Sequence, residues 1–286
     1  MISPKRYYML MPSGEPTQGD IWTNLPYPTF NIAFKIGLLI TPRCDFAHEK
    51  AKVFSYVPAL DFDTYLERFG YSRILSEEIN RQHNALKDLD VDLPSFSLME
   101  IGVPVTEVLR KTRAELLGPN EVSTKTKAHF AKFEKVVTTI KDIKRLMAKG
   151  TIAKNEAVEL IRQKDILRHS EMIVRNQISD LHFMPSCPPV IEKPLILLLR
   201  YVFTCQIEFL TAANRSVNDE DWNRTCRQLE DRMEIFRLCH LKPDRILRLR
   251  SPYLESLMSR IAFLYLRVGV PDFPKSEYDN FLGALQ

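Results

Sequence analysis

From Ser123 to about Asp180 the chain carries almost no helix-breaking punctuation except Gly150. Apolar residues recur three and four apart at Phe130, Phe133, Val136, Val137, Ile140, Ile143, Leu146 and Met147. They resume at Val158, Ile161, Ile166, Met172, Ile173 and Ile178. Such spacing predicts two long amphipathic helices hinged near Gly150, an αα-hairpin. Both flanks of this stretch are written differently. Asp20–Leu25 alternates, while Ile36–Ile40 and Val53–Val57 are short apolar runs closed by Pro42 and Pro58. These predict short strands in a small, bent sheet.

Residues 61–120 show helical spacing at Tyr65, Phe69, Ile74, Leu75 and Ile79, with Pro94 and Pro104 allowing only short helices. Asp61, Asp63 and Glu67 read as a capped helix start. After the Pro-rich connector Met184–Pro189, residues Ile191–Leu210 are branched and aromatic enough to return to strand. A helix is expected from Asp219 through Leu238, and a short strand at Ile246–Leu249. Ser251-Pro252 supplies an N-cap and an N1 proline for a last helix, stopped by Gly269 and Pro271. The expected class is α+β, one β-barrel interrupted by a long helical insertion and closed by C-terminal helices. Residues 1–60 would form the first half of the barrel, 61–183 the insertion with its basic hairpin, and 184–286 the second half.

Composition narrows the class without naming a function. The 286 residues are 45% hydrophobic, which excludes a disordered chain, and 9 Gly with 18 Pro exclude collagen-like or linker-like material. Forty Lys and Arg against 36 Asp and Glu leave a net charge of +4, too mild by itself to demand a nucleic-acid partner. The N-terminus lacks the apolar core of a signal peptide, and the longest apolar run, Leu195–Phe203, is broken by Arg200. A cytoplasmic chain with no membrane span is expected. The five cysteines, at 44, 187, 205, 226 and 239, include no C-x-x-C pair and read as free thiols. P-loop, G-x-G-x-x-G, H-E-x-x-H and G-x-S-x-G patterns are all missing.

Gly19-Asp20-Ile21-Trp22, followed by Leu38-Leu39-Ile40-Thr41-Pro42 and Tyr56-Val57-Pro58, resembles the entry of the PemK/MazF toxin family over residues 18–60. The resemblance implies an SH3-like barrel and a nucleic-acid-associated role of a stress, toxin–antitoxin or phage-defence type. It does not carry the family's RNA-cleaving pair across. The arginine position falls on Lys35, which lacks a guanidinium fork, and the threonine position falls on Leu60. The element Thr41-Pro42-Arg43-Cys44-Asp45-Phe46-Ala47 also resembles an uncharacterised prokaryotic group with a T-P-x-C-D-x-A pattern, whose activity is not established.

Three sets of residues could carry chemistry. Cys44 lies near Arg43, Lys50 and His48, so it could act as a lowered-pKa nucleophile with Asp45 and His48. Its other reading is a small buried hydrophobe, with Asp45 capping a turn. Cys44, Asp45 and His48, even with His182 and Cys187, lack the paired spacing of a zinc site, and neither metal nor cofactor is expected. Residues 121–175 hold 13 Lys or Arg against 7 Asp or Glu, a surplus of +6, with Lys141, Lys144 and Arg145 on the hairpin. Arg245, Arg248 and Arg250 form a second cluster, the better candidate for a specific anion site. Phosphate-backbone binding of RNA or DNA through Lys35, Arg43 and these two clusters is the leading expectation. Its alternatives are a protein-interaction module and a thiol-dependent enzyme.

Overall fold

The computed structural model describes residues 4–10, 12, 14–27, 34, 36–47, 52–87, 107, 110, 113–114, 124–239 and 241–266. Lys35, His48, Lys50, Pro94, Pro104, Gly269 and Pro271 lie outside these. The chain divides into two compact units. The first is discontinuous, joining residues 1–60 to 176–286, and the second spans 61–175.

The discontinuous unit holds β1 (Tyr8–Leu10), β2 (Asp20–Thr23), β3 (Ile36–Leu39) and β4 (Val53–Asp61) from the N-terminal segment. From the C-terminal segment come β5 (Leu181–Met184), β6 (Leu195–Leu198), β7 (Phe203–Gln206) and β8 (Arg245–Leu249). They form one curled, antiparallel half-barrel sheet in the order β1-β8-β2-β3-β4-β6-β5, with β7 also paired to β4. Strands from the two ends of the chain therefore interleave, β8 lying between β1 and β2. Two details depart from the sequence reading. The sheet resumes at Leu181, ahead of the Pro-rich connector. In addition, β4 runs on through Pro58, which sits opposite Gly37. A proline stops a strand only where a neighbour needs its missing N–H.

Both faces of the sheet are covered, which is why β3 and β6 read as continuous apolar runs. Ile21, Leu38, Val57 and Leu247 pack with Leu257 and Ile261 of the last helix on one side. Trp22, Leu39, Phe54 and Tyr56 pack with Phe209, Trp222 and Phe236 on the other. Each such fully buried side chain contributes about 1.5–3 kcal/mol. Gly37 permits this density, because a Cβ there would lie 2.7 Å from Tyr27 Oη and 2.8 Å from Leu25 Cδ1.

The helices whose bounds are described are, in chain order, α1 (Pro4–Tyr7), α2 (Arg43–Ala47), α3 (Phe62–Tyr65), α4 (Tyr71–Lys87), α5 (Thr124–Met147), α6 (Lys154–Leu160), α7 (Gln163–Val174), α8 (Ile207–Arg215), α9 (Asp219–Leu229) and α10 (Tyr253–Leu266). Asp61 caps α3 by accepting from Thr64 N at 3.0 Å, as its sequence context predicts. A π-helical turn, Leu66–Gly70, joins α3 to α4. In the 61–175 unit α5 buries Phe133, Val137, Ile140 and Ile143. The hairpin's second arm is not one helix but two, α6 and α7, broken at Ile161-Arg162. Similarly, α9 ends at Leu229 and a separate 3-10 turn covers Glu234–Leu238. Two strands and then α8 replace the longer strand expected over Ile191–Leu210.

Candidate anion-binding cleft

Asp20 opens β2 and is fully buried. Its backbone N–H donates to Thr17 O at 3.1 Å, and its Oδ2 accepts from Thr17 N at 2.9 Å, closing a tight loop. Gly19 makes the loop feasible, with φ +85 and a Cβ position only 3.1 Å from the Leu254 methyls. Its N–H donates to Leu39 O and its carbonyl accepts from Leu249 N, both at 2.9 Å, so the loop is stitched to β3 and β8.

Two arginines of β8 close on this carboxylate. Arg248 forks onto it through Nε to Oδ1 and through Nη2 to Oδ2, the latter at 3.2 Å. Arg245 Nη1 reaches Oδ2 at 3.2 Å. Residues three apart on a regular strand face opposite ways. Here the register runs Asp20↔Arg248, Ile21↔Leu247, Trp22↔Arg245, leaving Ile246 as an extra residue. That bulge turns Arg245 and Arg248 to the same face as Asp20 and Trp22. Arg245 is consumed there: it also donates to Glu15 O at 3.0 Å and Gly14 O at 2.6 Å, with its guanidinium 5.8 Å from the Trp22 ring centre. One carboxylate thus holds two guanidinium groups, leaving one positive charge in excess.

Beside this clamp lies a cleft of about 420 Å³, lined by Arg43, Arg248, Arg250, Thr17, Leu254 and Glu255 among others. Arg43 enters from the first turn of α2. Arg250 follows β8 directly, held by its own N–H on Tyr7 O and by its carbonyl accepting Leu254 N, both at 3.0 Å. The start of the 14-residue helix α10 forms the floor. Thr17 is only 8% exposed, and its Oγ1 is buried with no hydrogen-bond partner.

The structure therefore brings together Arg43, Arg248 and Arg250 from the sequence candidates, sets Arg245 behind them as a support, and adds Thr17. No sequence signal marked Thr17. Asp20 was visible as part of Gly19–Trp22, but its partnership with Arg245 and Arg248 depends on a bulge that spacing conceals. Lys141, Lys144 and Arg145 are exposed on α5 in the other unit, where Arg145 approaches Asp142 at 3.9 Å.

Cys44 is exposed, contrary to its reading as a small buried hydrophobe. It sits on the outward side of the five-residue α2, whose packed side chain is Phe46, and its Sγ donates to Asp45 Oδ1 at 3.6 Å. Asp45 does not cap a turn through its carboxylate in any described contact; that group faces the thiol. The other four cysteines are buried, and desolvation pushes the Cys205 and Cys239 thiols up to about 12 and Cys226 up to about 11. His182 is buried against Tyr7 Oη at 3.1 Å, and burial with the nearby Arg260 charge lowers its pKa to about 4. Among the described residues no three His, Cys, Asp or Glu side chains gather as a metal site. No described helix is long and apolar enough to cross a membrane.

A larger groove of about 670 Å³ between α8 and α9 presents Arg215, Arg224 and Arg232, but Glu208 and Asp221 line it too. Arg224 pairs with Asp221 at 3.5 Å. The smaller cleft, with three arginines to one glutamate, is the more strongly cationic of the two. Compared with protein-family models, with curated proteins and with solved structures, the chain matches none.

Proposed function

We propose that the protein is a cytoplasmic, nucleic-acid-associated protein that holds phosphates in the Arg43–Arg248–Arg250 cleft. The carrying observation is that three arginines, distant in sequence, line one cleft while a buried carboxylate fixes the orientation of one of them. Guanidinium forks suit phosphate oxygens, and the bound state gains affinity by releasing counterions. The exposed lysines of α5 supply a second cationic face for the backbone.

The finer identity of the sheet, a relative of the PemK/MazF-like SH3 barrel, belongs to the same proposal. It is supported by Gly19–Trp22, Leu38–Pro42 and Tyr56–Pro58 falling on or beside three successively paired strands, β2, β3 and β4. The role that resemblance implies is stress response, toxin activity or phage defence. Our reading is binding without strand cleavage, since Leu60, at the expected threonine position, is a buried leucine.

Fluorescence anisotropy with a labelled RNA and its DNA equivalent tests the reading. For three phosphate contacts on a single strand, affinity should fall roughly 20-fold between 50 and 200 mM salt. Arg43→Ala with Arg250→Ala should flatten that dependence. Undetectable binding, or binding indifferent to salt, would overturn the proposal. A second reading, a protein-interaction module, is favoured by Phe263 and Leu266 on α10, which are 69% and 75% exposed. Partner binding through that face would hardly respond to salt.

A further inference from the structure

We infer that the cleft is a seat for a phosphate monoester, and that on a nucleic acid it takes the phosphorylated end of a strand instead of an internal phosphodiester. This deepens the function proposed above, and rests on it for the identity of the strand.

Charge is the first argument. Among the described residues, Arg43, Arg245, Arg248 and Arg250 bring four positive charges to the clamp and cleft, and Asp20 and Glu255 bring two negative ones, leaving +2. A terminal phosphate carries close to two negative charges at neutral pH, against one for an internal diester. The second argument is donor supply. Arg43 and Arg250 make no ion pair among the described residues, and Arg248 keeps Nη1 free of Asp20. The buried Thr17 hydroxyl also lacks a partner. The guanidinium donors alone outnumber what the two non-bridging oxygens of a diester require, and a monoester offers three oxygens.

Shape agrees. At about 420 Å³ the cleft lies near the lower end of the range for small-ligand sites, about 300–1,000 Å³. Its apolar wall is Met9, Leu249 and Leu254, and among the described lining residues there is no aromatic ring on which a run of bases would stack. Such a site grips a phosphate and ignores the base sequence beyond it.

The test uses one 12-nucleotide RNA in two forms, 5′-phosphorylated and 5′-hydroxyl, with the full-length protein. Adenosine 5′-monophosphate and glycerol phosphate serve as small competitors. The phosphorylated strand should bind at least 10-fold tighter, and Arg250→Ala should erase that ratio. Thr17→Val should reduce the ratio while leaving the urea midpoint unchanged or raised, whereas a threonine that only packs there would leave the ratio as it is. If the small phosphates bind but neither strand does, the monoester seat stands, its ligand is a free metabolite, and the nucleic-acid reading fails. If both strands bind equally and the small phosphates do not compete, the seat is refuted while the nucleic-acid reading survives. Failure of every probe refutes both.

Discussion

At the scale of single residues, Asp20 is the group on which most depends. Its carboxylate is fully buried between two guanidinium groups that are themselves nearly covered. Removing one member of a buried ionic set leaves the others desolvated without compensation, typically at 3–5 kcal/mol. Asp20→Ala should therefore lower stability by about that much in urea unfolding, and Asp20→Asn by less, since the amide oxygen can still accept. Gly19→Ala should cost about 1–3 kcal/mol, because φ +85 disfavours any Cβ and the Leu254 methyls occupy the space. His182 makes stability depend on pH. Its pKa is 6.5 in the open chain and about 4 in the fold, so protons bind the unfolded chain first. This contribution is complete above pH 6.5 and shrinks as pH falls toward 4, by roughly 3 kcal/mol at most. His182→Gln should remove that part of the decline. His169, buried in the helical unit with its pKa also lowered to about 4, contributes separately, so the difference between wild type and variant is the informative quantity.

At the scale of elements, α5 was the most legible part of the chain. The positions that periodicity marks, from Phe130 to Leu146, are the ones it buries. Its outer face carries Lys127, Lys132, Lys135, Lys141 and Lys144 with no ion pair among the described residues. Lys141→Glu with Lys144→Glu should leave the thermal midpoint nearly unchanged and weaken strand binding if this face touches phosphate; an unchanged affinity would restrict binding to the cleft. The break between α6 and α7 was illegible because Ile161-Arg162 contains neither glycine nor proline, and Arg162 caps α7 without a side-chain bond. β1 was missed for a similar reason: at three residues it is too short for alternation to register. The β8 bulge is the instructive case. Arg245 and Arg248 look like opposite-facing residues until pairing with β2 is known, and pairing is a long-range property that local spacing does not encode. Half of the candidate site was thus visible as residue types, and its assembly was not.

At the scale of the whole molecule, the thiol alternative is the simplest to settle. Cys44→Ser keeps the size of an exposed side chain, so phosphate binding should stay within twofold of wild type. A loss of function there would move the chemistry to the Cys44 thiol. The interleaved sheet has a separate consequence, for how the protein is made. Tyr8 and Ile21 emerge from the ribosome early, yet the strand that belongs between theirs is Arg245–Leu249. The nascent chain must carry β1 and β2 with that gap unfilled until Arg245–Leu249 has been synthesised. Residues 61–175, contiguous in the chain, need not wait.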